Sequence, residues 1–484
     1  MNKLNQIFGS TNNSPLGDGG IGSINNSPLG DGGVYFLGIG GIGMSALARY
    51  FNANGIKVSG YDKTETALSK QLTAEGIRIH YEDNINMLDK EAALVVYTPA
   101  MPKDHKELNF YLQHNYKVVK RSDVLGAITS HSFNICVAGT HGKTTTSTMV
   151  AHLLRHSGYG CTAFLGGIAV NYNSNFWMQP AADEKNISVA EADEYDRSFL
   201  KLNPDVAIIS SMDADHLDIY GTAENMEHAF IDFTERIKPG GLLISKYGLK
   251  RSSELKASRH ITYHSSNSNA DVYAFNIRIN NGSYLFDVRL KNDVLQDVEL
   301  NMGGMHNIEN AVAAIAAAHE LKINNEKIKA AIQSFKGVKR RFEYIVKNDD
   351  TVMIDDYAHH PEELKALITG AKELFSNKKC TVIFQPHLYS RTKDLADEFA
   401  AVLDMADETI LLPIYPAREL PMEGVSSEMI LQRMKNSNAS VFSKEDLLKN
   451  IQTNRRALLI TAGAGDIDTL IQPLKEIITV SIGK

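Results

Sequence analysis

The stretch CVAGTHGKTTTSTMV, Cys136–Val150, contains a Gly-Lys-Thr triplet of the kind that holds phosphate groups. A phosphate loop needs inward-facing backbone N–H groups at the start of a helix, a lysine for the outer phosphates and a hydroxyl for magnesium. Here Ile135–Ala138 has the pattern of a buried strand, Gly139 and Gly142 permit a tight turn, and we expect a helix from Thr145 onward. The stretch therefore predicts a strand, a phosphate loop and a helix.

Lys143 and Thr144 would supply the cation and the hydroxyl of this loop. The usual pattern has a glycine well before the Gly-Lys pair, at the position where this chain has Val137, so the loop is a slightly shorter variant. An ordinary strand–helix turn with a solvated lysine is the alternative. The complete strand–loop–helix context favours phosphate binding.

A second glycine loop opens the first predicted domain. Gly38, Gly40 and Gly43 form a G-x-G-x-x-G pattern after the predicted strand Val34–Leu37, and Asp62 ends the next strand. Backbone N–H groups at such a helix start bind a diphosphate, and this pattern is also typical of dinucleotide-binding proteins. An NAD-dependent dehydrogenase is therefore one alternative. UDP contains a diphosphate as well, and the phosphate loop in the following domain favours UDP.

Four later apolar runs end in polar or charged clusters: VAEADEYD, IISSMDADH, MIDDYAHHP and VIFQPHLYSRT. Ligand sites of open α/β sheets lie beyond the carboxyl ends of the strands, so we expect the chemistry at these clusters. Glu191 ends one run and can reach a magnesium ion as a hard oxygen ligand. Its neighbours Asp193, Glu194 and Asp196 compete for that role, and we interpret them as outer or solvated acids.

The alternation of strand and helix patterns predicts an α/β protein of three tandem domains, each with a mostly parallel sheet. We expect a Rossmann-like first domain at 34–129, a P-loop domain at 130–337 and a Rossmann-like third domain at 338–484. In the second and third domains, strands are also predicted at Ile187–Ala190, Val206–Ser210, Val352–Ile354, Thr381–Gln385, Thr409–Leu412 and Ala457–Thr461.

The first 33 residues differ from the rest of the chain. The motif NNSPLGDGG occurs at Asn12–Gly20 and again at Asn25–Gly33, and apolar side chains are scarce around it. Such a segment buries too little apolar surface to offset its ordering entropy, so we expect a disordered or weakly ordered extension. A flexible arm over the nearby cleft is the alternative.

Composition excludes several classes of protein. A net charge of −7 argues against a sequence-independent nucleic-acid binder, which needs a basic face. The three cysteines show neither disulfide nor metal spacing, which is typical of a reducing cytosol. No apolar run approaches the roughly 20 residues of a membrane span, and the N-terminus lacks a signal pattern. We therefore expect a cytoplasmic monomer or weak homodimer with no nucleic-acid or membrane partner.

The variant loop GTHGKTTT resembles that of the Mur ligases, the ATP-dependent amide-forming enzymes that build the peptide stem of bacterial peptidoglycan. The resemblance runs from Val34 to near the C-terminus, and it is strongest to the member that adds the first amino acid. It rests on FLGIGGIGMSALA, EADEYDRSFL, ADHLDIYG, GMHNIENAVAA, GVKRRFE, DDYAHHPEEL, FQPHLYSRT, LLPIYPARELP and AGAGDI. It implies ATP and Mg²⁺ as cofactors, UDP-N-acetylmuramate and L-alanine as substrates, and an acyl phosphate as the intermediate.

The resemblance also implies roles for individual residues. The implied ATP-binding residues are Gly139, Thr140, His141, Gly142, Lys143, Thr144, Thr145, Asn307, Arg341 and Asp356. The implied UDP-sugar contacts are Gly38, Gly40, Gly41, Gly43, Met44, Ser45 and Asp62. The implied magnesium ligands are Thr144, Glu191 and His216, and the implied amino-acid contacts are His387 and Arg391. The implied catalytic residues are Lys143, Glu191, His216, His359 and Arg391.

Some of these residues have plainer interpretations when taken alone. His216 could be an ordinary histidine at a strand end, and Asn307 and Asn310 could cap a helix or point at one base. Many family members have an arginine where this chain has Leu388. Arg391 is then the stronger candidate for the alanine carboxylate, because a guanidinium pairs bidentately with a carboxylate.

Two further functions compete with addition of alanine. A recycling ligase of the same family would attach a whole peptide, but its glycine-rich start usually differs from GIGGIGMSALA. A nucleotide-binding regulator would hydrolyse ATP without ligation. The motifs PHLYSRT and DDYAHHP argue against that regulator.

Overall fold

The computed structural model describes residues 32–180 and 186–480. The repeated segment that is predicted to be a weakly ordered extension lies outside the described residues, except for Gly32 and Gly33. Three sheets follow one another along the chain, so the predicted α/β fold with three mostly parallel sheets is confirmed. In the part of the chain that is described, none of the helices has the length and apolarity needed to cross a bilayer.

The first sheet is entirely parallel, with strand order β3-β2-β1-β4-β5. Its strands and helices are β1 (Val34–Leu37), α1 (Ile42–Ala53), β2 (Val58–Tyr61), α2 (Ala67–Ala74), β3 (Arg78–His80), β4 (Leu94–Tyr97), α3 (Lys106–Gln113), β5 (Val118–Lys120) and α4 (Arg121–Ser130). The central strand β1 is buried along its whole length, as its continuous apolar sequence requires when helices cover both faces.

The second sheet has ten strands in the order β15-β14-β13-β12-β11-β10-β6-β9-β7-β8. Its first elements are β6 (Phe133–Ala138), α5 (Lys143–His156), β7 (Thr162–Ala169), β8 (Ser174–Met178), β9 (Ile187–Glu191), β10 (Val206–Ile209), α6 (Leu217–Tyr220), α7 (Ala223–Thr234) and β11 (Leu242–Lys246). It continues with β12 (Arg259–His264), β13 (Val272–Asn280), β14 (Ser283–Leu290), β15 (Asp293–Leu300), α8 (Met305–Glu320) and α9 (Asn325–Ser334). Short 3-10 helices lie at Tyr195–Lys201 and Ser252–Glu254.

The third sheet has the order β16-β17-β21-β18-β19-β20, and only β16 runs antiparallel to its neighbour. Its elements are β16 (Glu343–Lys347), β17 (Val352–Asp356), α10 (Pro361–Leu374), β18 (Cys380–Phe384), α11 (Tyr389–Asp394), α12 (Ala396–Leu403), β19 (Glu408–Leu411), α13 (Ser427–Leu431), β20 (Ala439–Val441), α14 (Lys444–Thr453), β21 (Leu458–Ala462), a 3-10 helix (Asp466–Leu470) and α15 (Ile471–Val480). The predicted strands of this domain lie within one or two residues of β17, β18, β19 and β21.

The antiparallel strands at both edges of the second sheet were not predicted. The β7–β8 hairpin and the β13–β15 meander add to a parallel centre, and each pairing contains a shift in register. Polar or charged residues alternate with buried ones in β13 and β15, so these strands lack the continuous apolar runs that identify a buried strand.

Helix α1 packs the first domain onto the second. Tyr50 on α1 lies with its ring 5.5 Å from that of Phe164 on β7 and 6.3 Å from that of Phe176 on β8. Asn175 is fully buried between them, and its Nδ2 donates to the Ser45 hydroxyl at 2.9 Å. The glycine loop that precedes α1 is thereby held at a fixed position relative to the second sheet.

On the opposite face of the first sheet, Glu107 is fully buried in a hydrogen-bonded network. The Tyr35 hydroxyl lies 2.6 Å from Glu107 Oε2 and 2.7 Å from His80 Nε2, and the Asn84 N–H donates to Oε1 at 3.1 Å. His80 Nδ1 lies 2.9 Å from the Glu82 carbonyl oxygen, so Nδ1 carries a proton. Both oxygens of Glu107 thus accept hydrogen bonds, one from the Tyr35 hydroxyl and one from the Asn84 N–H.

Burial raises the pKa of Glu107 to about 7, although the hydrogen bonds from Tyr35 and Asn84 oppose the shift. The pKa of Glu107 is therefore higher in the folded than in the unfolded protein, and protonation of this group stabilises the fold. This contribution is complete below the unfolded pKa and is lost as pH rises through the folded pKa. Glu107→Gln has nearly the same shape but no proton to lose, so its side chain is neutral at every pH. We therefore expect the difference in unfolding free energy, variant minus wild type, to increase by about 2–3 kcal/mol from pH 4 to pH 8.

Denaturant unfolding across this pH range measures the difference. Glu82→Gln at the exposed neighbouring side chain is the control, and its curve should run parallel to that of wild type. If the curve for Glu107→Gln also ran parallel to that of wild type, Glu107 would not be the group that loses a proton in this pH range.

Candidate active site

The phosphate loop adopts a backbone that only glycine fits. Gly139 has φ +136° and Gly142 has φ +82°. A Cβ on Gly142 would lie 2.7 Å from Asn310 Oδ1, and one on Gly139 would lie 2.8 Å from the Ser211 nitrogen. The helix begins at Lys143 rather than at Thr145, so the loop ends directly at the helix N-terminus.

The carboxyl end of β10 supports this loop. The Ser211 hydroxyl accepts from the His141 N–H at 2.7 Å and lies 2.8 Å from the Thr140 hydroxyl. Thr140 in turn accepts from the Asp213 N–H at 3.2 Å, and the Ser210 hydroxyl donates to the His141 carbonyl oxygen. Thr140 and His141 therefore shape the loop through its contacts with the neighbouring strand end.

Lys143 lies between two oxygen atoms. Its Nζ donates to the Gly139 carbonyl oxygen at 2.7 Å and to Glu194 Oε1 at 2.7 Å. Glu194 is 1% exposed, and the predicted metal ligand His216 places Nε2 3.8 Å from the same Oε1. From the sequence, Glu194 has no predicted ligand role, but the structure puts it beside the phosphate-loop lysine.

Glu191 lies at the end of β9 against the backbone of Gly166, where any Cβ would collide with its carboxylate. Burial raises the pKa of Glu191, and Lys143, a hydrogen bond from Thr144 and the charge of Arg341 oppose that shift. Residues predicted from three separate motifs therefore interact at one place: Lys143 and Thr144 from the phosphate loop, Glu191 and Arg341.

The two glutamates fit a hard divalent cation. Glu191 Oε2 and Glu194 Oε2 are both buried without a hydrogen-bond partner, and Thr144 adds a hydroxyl beside Glu191. Buried carboxylate oxygens need a cation or a proton. Within residues 32–180 and 186–480, however, no three His, Cys, Asp or Glu side chains are grouped closely enough to hold a metal on their own.

A cavity of about 360 Å³ joins the glycine loop of the first domain to Glu191 of the second. Gly41, Gly43 and Met44 line one side, and Arg121 at the start of α4 is the sole cation among the described lining residues. Arg121 was not predicted. A Cβ on Gly43 would lie 2.8 Å from its Nη1, so this glycine lets the guanidinium approach the helix start.

The other residues predicted for the UDP-sugar lie around this loop. The Gly40 N–H donates to Asp62 Oδ2 at 2.7 Å, and Gly38 has φ +87°. Ser45 is fully buried, and its hydroxyl donates to the Ile42 carbonyl oxygen at 2.9 Å and accepts from Asn175. Asp62 thus orders the loop, and the Ser45 side chain belongs to the packing between domains rather than to the cavity lining.

Asn307 and Asn310 lie on one face of α8, and each is paired with protein groups. Asn310 Oδ1 accepts from the Thr146 hydroxyl at 3.1 Å, and its Nδ2 donates to Asn307 Oδ1 at 3.2 Å. Asn307 Nδ2 donates to the Gly303 carbonyl oxygen at 2.7 Å. Asn310 therefore ties α8 to the phosphate-loop helix, and the adenine contact of Asn307 stays a prediction.

Asp356 ends β17 and holds two loops by their backbones. Its Oδ2 accepts from the Phe342 N–H and its Oδ1 from the Ala358 N–H, both at 2.7 Å. Burial raises the pKa of Asp356 to about 6, and these two bonds and Arg341 oppose the shift. Asp356 thereby fixes the chain next to the exposed Arg341 side chain.

The third domain brings His359, His387 and Arg391 to one edge of its sheet. The rings of His359 and His387 are 6.1 Å apart, and His387 stacks on Tyr415 at 5.8 Å. His387 Nδ1 and Arg391 Nη1 are buried without hydrogen-bond partners. Leu388 between them has φ +71°, a strained conformation for a branched residue. Two unpaired nitrogens in this position fit an anionic group such as a carboxylate.

Three family models match the chain in succession. They are described as Mur ligase family, catalytic domain, at residues 33–133, Mur ligase middle domain at 137–318, and Mur ligase, glutamate ligase domain, at 340–467. The chain belongs to the Mur ligase family, whose enzymes are ATP-dependent amide ligases.

The relatives cover nearly the whole chain. It is 47% identical over 456 residues to the UDP-N-acetylmuramate–L-alanine ligase of Cytophaga hutchinsonii, covering 93% of this chain and 98% of that one. It is 49% identical over 450 residues to the enzyme of the same name from Porphyromonas gingivalis, covering 92% and 98%.

Solved structures have the same architecture. The crystal structure of a UDP-N-acetylmuramate–alanine ligase from Thermotoga maritima matches with a TM-score of 0.79 at 28% identity, covering 93% of this chain and 99% of that one. A murein peptide ligase from Psychrobacter arcticus matches with a TM-score of 0.63 at 24% identity, covering 92% and 98%. The second match shows a shared fold.

Gly142→Ala tests the phosphate loop. The added Cβ meets Asn310 and the backbone is strained at φ +82°, so we expect the Michaelis constant for ATP to rise by at least about tenfold, equivalent to 1.4 kcal/mol. Gly158→Ala is the matched control, because Gly158 has φ +78° and open space around it. Equal ATP affinity in Gly142→Ala and wild type would exclude this loop as the nucleotide site.

Proposed function

We propose that this protein is an ATP-dependent ligase that joins L-alanine to the lactyl carboxylate of UDP-N-acetylmuramate in peptidoglycan precursor synthesis. The observation that carries the proposal is the cavity between the glycine loop and Glu191, since it runs from a diphosphate-type loop to a carboxylate that interacts with Lys143 and Thr144 of the phosphate loop. The names of the full-length relatives from Cytophaga hutchinsonii and Porphyromonas gingivalis support the same substrates.

The proposed reaction needs no protein nucleophile. A carboxylate oxygen of the muramic acid attacks the γ-phosphorus of ATP and ADP leaves, which gives an acyl phosphate. The alanine amine attacks the acyl carbon, and the tetrahedral intermediate expels phosphate to leave the amide. The protein positions the three reactants and neutralises charge on the transferring group.

The phosphate-loop amides, Lys143 and Arg341 are proposed to bind the ATP phosphates. Thr144, Glu191 and His216 are proposed to hold Mg²⁺, and the unpaired buried Oε2 of Glu191 supports that assignment. When bound there, Mg²⁺ would neutralise charge on the phosphate oxygens. A bound cation would relieve the cost of burying the two carboxylates, which raises the pKa of both Glu191 and Glu194.

The first domain is proposed to hold the UDP-sugar. The N-terminus of α1 offers backbone N–H groups at Ile42 and Gly43, and Arg121 adds the cation that a diphosphate needs. Arg121 is paired with Asp193 of the second domain at 3.2 Å. The substrate's carboxylate would then extend along the cavity toward Glu191 and the phosphate loop.

The third domain is proposed to hold L-alanine through Arg391 and His387. Since the three substrates lie on three domains, domain closure is proposed to precede chemistry. A cytoplasmic monomer or weak homodimer also remains our prediction. A recycling ligase that attaches a whole peptide is the second candidate, and GIGGIGMSALA, which lines the cavity at Gly41–Met44, Ala46 and Leu47, favours the alanine adder.

Phosphate release with defined substrates tests the function. We expect stoichiometric ADP, phosphate and amide only when UDP-N-acetylmuramate, ATP, Mg²⁺ and L-alanine are all present. A peptide that begins with L-alanine should replace the free amino acid poorly. Preferential use of the peptide would support the recycling ligase, and ATP hydrolysis independent of both substrates would support a nucleotide-binding regulator.

Arg391→Ala tests the amino-acid site. Loss of a charge-assisted bond to a buried carboxylate costs roughly 1.5–3 kcal/mol, so the Michaelis constant for L-alanine should rise by at least about tenfold. The constant for UDP-N-acetylmuramate should change much less. Arg433→Ala is the control, because Arg433 pairs with Asp397 elsewhere in the same domain. A loss confined to turnover would place Arg391 on the acyl phosphate instead.

A further inference from the structure

The second glutamate of the EADEYD motif has a placement that the proposed ligand assignments do not explain. Glu194 is 1% exposed, yet it belongs to none of the ligand sets implied by the family resemblance. The Tyr220 hydroxyl donates to its carbonyl oxygen at 2.6 Å. Asp196 and Arg197, which follow closely, have φ +51° and +61°, so the chain leaves this position through a left-handed turn. The structure therefore fixes Glu194 at some conformational cost.

The partner of this side chain is the phosphate-loop lysine. A lysine ammonium has three N–H donors, and Lys143 uses two of them, on the Gly139 carbonyl oxygen and on Glu194 Oε1, both at 2.7 Å. Lys143 is the first residue of α5, so its third N–H can point to the side of the loop where a phosphate would bind. The flexible four-carbon stem of the lysine is thus ordered before a phosphate arrives.

An ion pair that served stability alone is the alternative explanation. Replacing a buried pair by neutral groups is often without cost, so stability is weak evidence for keeping one. A buried carboxylate at this position also repels the anion that the loop is built to bind, and its second oxygen has no hydrogen-bond partner. A role of the Glu194 carboxylate in orienting Lys143 would account for these costs.

We propose that Glu194 is a positioning residue for Lys143, which it holds against the Gly139 carbonyl oxygen so that the third N–H faces the transferring phosphoryl group. This inference rests on the proposed function and extends it. We expect Glu194 to stabilise the transition state more than the bound ground state of ATP, because the charge on the phosphoryl oxygens is redistributed in the transition state.

Glu194→Gln is the variant that tests this assignment, because glutamine keeps an oxygen acceptor but loses the charge. We expect kcat to fall by about 10- to 100-fold while the Michaelis constant for ATP stays within about threefold of wild type. Glu227→Gln is the matched control, since Glu227 is also a buried glutamate of this domain that is paired with a lysine, Lys250, at 2.8 Å. That control should leave kcat unchanged.

A double-mutant cycle with Lys143→Ala separates positioning from a structural effect. In the Lys143→Ala background, Glu194→Gln should lower the residual rate by no more than about twofold, because the group it positions is absent. Thermal unfolding of each variant confirms that it is folded. An equal loss of rate in both backgrounds, or a lower Michaelis constant for ATP with unchanged kcat, would overturn the proposal.

The same cycle is measured on phosphate release and on amide formation. If wild type releases phosphate without forming the alanine product, the proposed function is contradicted. The effect of Glu194→Gln on phosphate release would then still test whether Glu194 positions Lys143. Ligation by wild type with an unchanged kcat in Glu194→Gln would contradict the inference about Glu194 alone.

Discussion

The pairing of Lys143 with buried carboxylates is the interaction on which the rest of the site depends. Glu194 holds the lysine directly, and Glu191 lies close enough for the lysine to oppose the rise in its pKa. Two buried acids and one lysine leave negative charge uncompensated where an anionic nucleotide is expected. Further cationic groups would compensate that charge, and Arg341 and the proposed Mg²⁺ are the candidates.

The fold brings these groups together by placing the carboxyl ends of parallel strands at shared edges. Strands β6, β9 and β10 are neighbours in the second sheet, so the phosphate loop, Glu191 and the serines that support the loop converge without a long connection. The packing of α1 on β7 and β8 then fixes the glycine loop of the first domain in front of that edge. The cavity between the two domains is a direct result of this packing.

The central strands and both glycine loops were predictable, because apolar runs and glycine spacing report directly on burial and on backbone conformation. The β13–β15 meander was not predicted, since polar and charged residues interrupt the apolar ones in β13 and β15. Glu194 and Arg121 were underestimated for a different reason. Their roles depend on partners distant in sequence, Lys143 and Asp193, and no local pattern marks such a pair. Ser45 lies in a matching motif, yet the packing of α1 on the second domain takes its hydroxyl out of the cavity.

The central claim is that the site transfers the γ-phosphoryl group of ATP to a substrate carboxylate. It is tested most directly with UDP-N-acetylmuramate labelled with ¹⁸O in its carboxylate, in the presence of ATP, Mg²⁺ and L-alanine. The oxygen that attacks phosphorus stays on the phosphate when the amine displaces it, so mass spectrometry should find one ¹⁸O atom in each phosphate released. Unlabelled phosphate would show that water attacks ATP instead, and it would contradict the account.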